Sequence, residues 1–334
     1  MSHSSIDPIR LLFGLFAMIV VAGGFATDSA VAGDPSATSQ TAQRPKVLLI
    51  GIDGLRADAL RRAATPQLDS LIQSGVLREA TRVTSDAVPQ SDTVSGPGWT
   101  TFLTGTWADG HGVVDNSFKG RNPASGPHWF RHLKKARPEL RTASIVNWTP
   151  LGEHVVTDAD VGLVIAPPAK DKADPIAHYD HADRMTAATA LTILTTDDVD
   201  AMMIYFGSTD GAGHAFGFHP TVREYVRQIE KTDQRIGDVL QAIRERPSFG
   251  NEDWLFIVGT DHGGEGTGHG GGRDNPNIRV APMIVSGRNA LASDRAEPPF
   301  ATVDVVAVAL DHFDISTSAI PALVGSAEGW VKTP

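Results

Sequence analysis

Seven side chains of this sequence are of types and at positions that could do chemistry together: Asp53, Ser95, Asp210, His214, Asp261, His262 and His269. Asp53 follows the apolar run from Lys46 to Ile52. Asp210 and His214 follow Ala201 to Phe206 after a short Gly-Ser-Thr link, and Asp261 and His262 follow Trp254 to Gly259. His269 stands in the glycine-rich stretch beyond them. Carboxylate oxygens and imidazole nitrogens without thiolates suit zinc in a catalytic site, with manganese or iron as substitutes. There is no cysteine to add a thiolate or a disulfide. Any one of these aspartates, taken singly, reads as a turn or helix-cap residue; their joint placement is what points to metal. Asp210 and His214 are separated by Gly211-Ala212-Gly213, which as a tight glycine loop would let both reach one ion. Asp261 and His262 are adjacent, so along a regular strand they would face opposite ways. A turn after Gly259 is needed to bring both inward. The spacing favours two metal sites.

Ser95 opens the sequence Ser95-Gly96-Pro97-Gly98 ahead of the apolar run Trp99 to Leu103, which places its hydroxyl where an extended segment turns into a helix. Proline is tolerated in a first helical turn, and the free N–H groups and positive dipole end there favour phosphate or sulfate nearby. That position suits a nucleophile attacking an anion. It is also the position of an ordinary N-cap serine, and the nucleophile reading depends on the ligand-type residues reaching the same place.

The elements that must position these groups alternate. Buried strands are expected at 46–52, 142–148, 201–206, 254–259 and 282–286. Helices are expected at 65–75, 127–137, 178–196, 220–245 and 302–313, the fourth carrying Val222, Val226, Ile229, Ile236, Val239, Leu240 and Ile243 on one face. Strands alternating with helices predict an α/β fold with a doubly wound, mostly parallel central sheet and helices on both faces. In such a sheet the C-terminal strand ends lie on one edge, where ligands bind. Between 119 and 180 the pattern is interrupted by Gly, Pro and charge, including PPAKDKADP at 167–175, and this stretch is expected to be a small inserted cap over an open site.

The 334 residues, 41% of them hydrophobic, suffice for a sizeable core. Residues 1–32, with Arg10 ahead of LLFGLFAMIVVAGGFA and small residues at Ala30-Val31-Ala32, read as a signal peptide. An uncleaved anchor is disfavoured by the short run and by Gly14, Gly23 and Gly24. Residues 33–44 read as a flexible leader and 45–334 as the catalytic domain. Export without cysteine fits a periplasmic or secreted protein. A net charge of −10 with no Lys/Arg cluster argues against a nucleic-acid binding surface.

Asp53 after a strand, the Ser95 segment with Thr104-Gly105 and His111-Gly112, Asp210-x-x-Gly213-His214, Asp261-His262-Gly263 and His269-Gly270, in that order, resemble the alkaline-phosphatase superfamily. The nearest resemblance is to its nucleotide pyrophosphatase/phosphodiesterase branch. It implies two divalent ions, zinc foremost, one held by Asp53, Ser95, Asp261 and His262 and the other by Asp210, His214 and His269. It implies further that Ser95 forms a covalent phosphoryl-serine and that Asn116, with backbone N–H groups after Ser95, binds phosphoryl oxygens of a small-molecule phosphate ester. His111 and His219 compete with His269 for the third place on the second ion. The branch usually reads Thr-Phe-Pro-Asn at the nucleophile, where this chain has Ser95-Gly96-Pro97-Gly98. A sulfatase of the same superfamily requires an arginine where this chain has Trp99. A phosphonate hydrolase and a phosphate monoesterase of the superfamily use the same residues, whereas a non-catalytic metal-binding relative would be expected to have lost a ligand or the nucleophile, and none is missing.

Overall fold

The computed structural model describes residues 43–291 and 299–332. The expected signal peptide lies outside the described residues, as does the expected leader up to residue 42. Among the described residues no helix is long and apolar enough to cross a membrane.

Seven strands, β1 (Arg44–Ile52), β2 (Gly75–Arg82), β3 (Thr142–Val146), β4 (Val161–Val164), β5 (Ala201–Phe206), β6 (Glu252–Gly259) and β7 (Val280–Ser286), form one sheet in the order β2-β7-β6-β1-β5-β3-β4. The five strands from β6 to β4 are parallel; β7 runs antiparallel to both β6 and β2. β1 is central, and its alternation shows why a continuous apolar run is needed there. Val47 and Leu49 enter one core layer with Trp99, Phe102, Leu133 and Val305. Leu48, Ile50 and Ile52 enter the other with Leu68, Ala190, Ile229 and Leu240. Helices 95–104, 129–136 and 304–311 therefore cover one face, and helices 57–62, 66–73, 177–196 and 223–244 the other. This is the expected fold class: a mostly parallel α/β sheet with helices on both faces.

Several elements differ from expectation, β4 and the following two among them. Residues 75–82 form an edge strand where none was foreseen. Residues 208–216, expected as a glycine loop, form an α-helix. Of the stretch 119–180, β3 and β4 are strands of the central sheet, and 167–170 lie along the cleft described below.

The register places Gly51 of β1 beside Tyr205 of β5 and Gly259 of β6. A Cβ on Gly51 would come within 2.5 Å of the Trp99 ring. Helix 95–104, which begins with Ser95, can thus lie directly on the C-terminal ends of the central strands.

Candidate active site

Asp53, Asp261 and Asp210 leave the C-terminal ends of three adjacent strands, β1, β6 and β5. Asp53 immediately follows β1. Its Oδ2 accepts hydrogen bonds from Trp99 Nε1 (2.9 Å) and the Tyr205 hydroxyl (2.5 Å). β6 ends at Gly259, so Asp261 and His262 stand in a turn instead of on opposite faces of a strand. Both are buried, and His262 Nε2 lies 3.2 Å from Asp261 Oδ2 and 3.5 Å from Asp53 Oδ1. Asp210 sits in the first turn of helix 208–216, with His214 one turn on. Four residues in a helix bring two side chains onto one face, so the helix does what the expected loop would have done. His214 Nε2 is 3.4 Å from Asp210 Oδ2.

His269 joins the two groups. Its Nε2 lies 3.0 Å from His214 Nε2 and 3.6 Å from Asp210 Oδ1, and its ring stacks on that of His262 with centroids 3.7 Å apart. His111 and His219 lie elsewhere. His111 is buried with Nε2 at 2.9 Å from Thr101 Oγ1 and Nδ1 accepting from the Val113 N–H, and burial lowers its pKa to about 3. His219 Nδ1 pairs with Thr221.

Ser95 is buried at the start of helix 95–104, its Oγ 3.2 Å from His262 Nε2. Gly98, one turn into this helix, would bring a Cβ within 2.8 Å of Asp261 Cβ, so glycine is required for the helix to approach the Asp261 turn. The Gly96 N–H, expected to face substrate, donates instead to Asn116 Oδ1 at 2.6 Å. The Gly98 N–H is likewise engaged, by the Val94 carbonyl. With its oxygen committed to the Gly96 backbone, Asn116 can still donate into the cleft through its amide NH2.

The electrostatics follow from packing carboxylates together out of water. Burial, and then the charge of Asp53, raise the pKa values of Asp210 and Asp261 well above the ordinary carboxylate range. Burial pushes the His262 imidazole well below its usual value, and His269 adds to the effect. Asp53 Oδ1, Asp210 Oδ1 and Asp261 Oδ2 are buried with no hydrogen-bond partner among the described residues. Buried polar atoms are rarely left so, because desolvation is then uncompensated. The histidines point to what would compensate. Nδ1 of His214, His262 and His269 each lies against a backbone carbonyl, of Thr267, Gly263 and Thr93 respectively, at 2.8 to 2.9 Å. A carbonyl accepts only, so Nδ1 carries a proton and Nε2 is the nitrogen turned towards the carboxylates. Nε2 atoms facing bare carboxylate oxygens fit a divalent cation. Two overlapping sets, Asp53, Asp261 and His262, and Asp210, His262 and His269, bring their ligand atoms within 4.8 Å of one another.

The site lies on the floor of a cleft of about 620 Å³, walled by Asn147, Trp148, Pro150, Pro168, Lys170 and Tyr179 among others. The residue types and spacing had not singled out Trp99 and Tyr205 as holders of Asp53. An indole and a phenol on apolar runs read as core, and only the register shows that both face a carboxylate.

A mostly parallel sheet with a buried serine at a helix start and Asp/His groups at three adjacent strand ends defines an alkaline-phosphatase-like hydrolase fold. The chain matches the type I phosphodiesterase / nucleotide pyrophosphatase family over residues 47–270, which contains every site residue above, and it belongs to that family. Among curated relatives, it is 28% identical over 246 residues to rat (Rattus norvegicus) ectonucleotide pyrophosphatase/phosphodiesterase family member 7, covering 67% of this chain and 51% of that protein. It is 25% identical over 235 residues to the bovine (Bos taurus) bis(5'-adenosyl)-triphosphatase ENPP4, covering 67% and 49%. The chain thus spans about half the length of these relatives. Among solved structures, a 2-O GAG sulfatase superposes with a TM-score of 0.66 at 15% identity, covering 87% of this chain and 76% of that one, a likeness of fold.

Proposed function

We propose that the protein is an exported, metal-dependent hydrolase of phosphoric diesters that works through a covalent phosphoryl-serine. The observation that carries this reading is the convergence of Ser95 Oγ with three buried, unpartnered carboxylate oxygens and three imidazole Nε2 atoms. Asp53, Ser95, Asp261 and His262 would hold one divalent ion, and Asp210, His214 and His269 the other. Zinc ions there would supply charge to stabilise the attacking and leaving oxygens of an in-line displacement.

The chain's own part is attack, orientation and charge placement. Ser95 Oγ bonds to phosphorus as the bond from phosphorus to the leaving alkoxide breaks; the hydroxyl proton is released and the alkoxide leaves as the alcohol after protonation. Water then attacks the phosphoryl-serine, restoring the Ser95 hydroxyl and freeing the phosphomonoester. The start of helix 95–104 presents its positive end to the phosphoryl group. The Asn116 NH2 donates to a phosphoryl oxygen, an interaction worth on the order of 3 kcal/mol in comparable sites.

The rat relative's name, a pyrophosphatase/phosphodiesterase, supports the diester class. Where a sulfatase needs arginine, the chain has Trp99, whose indole is buried on Asp53. The test is a side-by-side assay of bis-p-nitrophenyl phosphate, p-nitrophenyl phosphate, a sulfate ester and phosphonoacetate, with zinc and with chelator. Zinc-dependent preference for the diester is expected; preference for the monoester would overturn the diester assignment. Ser95→Ala is expected to abolish turnover while keeping metal content, and a variant retaining most activity would remove Ser95 from the nucleophile role. Export with cleavage after Ala32 is checked by N-terminal sequencing of the mature protein, expected to begin at Gly33.

A further inference from the structure

Helix 208–216 carries Asp210 and His214, yet the residue at its N-cap position is Gly207, which has no side chain to cap it. The first N–H groups of a helix have no partner within the helix, and here they are buried beneath the cleft. Their partner comes from another element. Asp183, fully buried on helix 177–196, accepts from the Gly207 N–H at 3.0 Å and the Ser208 N–H at 3.3 Å, and from the Ser208 hydroxyl. It also accepts from Asn147 Nδ2 at 2.7 Å, on the cleft wall.

Pairing with Arg235 is a lesser part of its role. The nearest Arg235 nitrogen is 3.6 Å from Asp183, while another nitrogen of the same guanidinium binds Asp180 at 2.5 Å. The close partners of Asp183 are the start of the ligand-bearing helix and the cleft wall. Gln228, from helix 223–244, bonds both Ser208 Oγ (2.7 Å) and Asp180 (3.0 Å), so three helices are tied at this point. Asp210 is two residues beyond Ser208, and His214 one turn further. A tilt of the first turn would move both ligands against His269, which is held by Thr93 from a different part of the chain.

We propose that Asp183 is a positioning residue: by capping helix 208–216 from a neighbouring helix, it sets the affinity of the Asp210/His214/His269 end of the site for a divalent cation. The inference rests on the metal-dependent reading above. Outer groups that orient metal ligands change affinity about tenfold to hundredfold when removed. Asn at 183 has one acceptor oxygen where the carboxylate has two, and its NH2 would face other donors.

The experiment is zinc titration of the full chain against competing chelators, with Asp183→Asn, Asp210→Ala and the double variant. Wild type is expected to bind two equivalents. Asp183→Asn should weaken one equivalent about tenfold or more and leave the other unchanged. In the Asp210→Ala background, where that end is already lost, it should change nothing further. A purely structural role would instead lower both equivalents together or only the melting temperature of the metal-free protein. Either result overturns the inference, as does unchanged binding. A wild-type chain that binds no zinc would overturn the metal reading itself. Should Asp183→Asn fail to fold, Ser208→Ala, which keeps the carboxylate and removes one donor, is expected to weaken the same equivalent severalfold; unchanged affinity there would likewise overturn the inference.

Discussion

Asp53 is engaged asymmetrically. Trp99 and Tyr205 occupy Oδ2, while Oδ1 is buried without a partner 3.5 Å from His262 Nε2. Two donors on one oxygen fix the plane of the carboxylate and leave the other oxygen aimed at the cation position. Burial and the Asp53 charge in turn push the Tyr205 phenol well above its usual pKa, so it remains a donor throughout the working range. Tyr205→Phe removes one donor and little volume. It is expected to lower zinc affinity about tenfold, as loss of an orienting hydrogen bond does. It should also destabilise the metal-free fold by about 2 kcal/mol, the scale of a hydrogen bond to a charged group. Chelator competition and urea unfolding measure the two effects separately. Unchanged zinc affinity would show that Trp99 alone holds Asp53.

The seat of helix 95–104 shows how an element places a nucleophile. Gly51 leaves room for the Trp99 ring, and the adjacent Gly259 does the same for Phe102, whose ring a Cβ there would meet at 2.5 Å. Gly51→Ala adds a methyl group where none fits, and overpacking of this kind typically costs 1–3 kcal/mol. The helix must lift from the sheet, taking Ser95 with it. The variant is expected to melt several degrees lower, to lose kcat as Ser95 moves, and to bind zinc more weakly at the Asp53 end, because the Trp99 indole that orients Asp53 rides on the same helix. Retained kcat in a destabilised protein would mean that the helix pivots about Ser95 instead of lifting. The strands that deliver Asp53, Asp210 and Asp261 were legible because continuous apolar runs ending in Asp are distinctive. Helix 208–216 was not, since Gly211 and Gly213 read locally as loop. They are needed for close packing: a Cβ on Gly211 would meet Tyr179, and one on Gly213 would meet Phe218. β2, with the sequence GVLREATR, carries only a weak alternation, and its strand character depends on pairing with β7. Asp183 was invisible for a related reason, since a helical Asp read from sequence alone is most simply a solvated one.

At the scale of the molecule, the central sheet separates two core layers, and the layer beneath helix 95–104 holds two buried histidines outside the metal-ligand set. His128 is the N-cap of helix 129–136, its Nδ1 accepting from the Phe130 N–H. Burial lowers its pKa to about 3, with Arg121 adding to the effect, and His111 is lowered to about 3 in the same way. In the unfolded chain each titrates near 6.5. Between pH 6.5 and 3 the unfolded state therefore binds more protons than the folded state. Stability is full above about pH 6.5 and is lost as pH falls towards 3, at about 1.4 kcal/mol per pH unit for each histidine. Asp210 and Asp261, with raised folded-state values, act in the opposite sense: their contribution falls as pH rises from the ordinary carboxylate value. A single pH profile mixes these opposing slopes, and a difference between variants separates them. Asn at 128 retains an acceptor at the N-cap and removes one titration. Between pH 6.5 and 5, His128→Asn is expected to lose about 2 kcal/mol less stability than wild type, as read by urea unfolding. Because the carboxylates contribute equally to both proteins, parallel profiles would mean that His128 gains its proton without unfolding, and that this layer admits a charge which its burial should exclude.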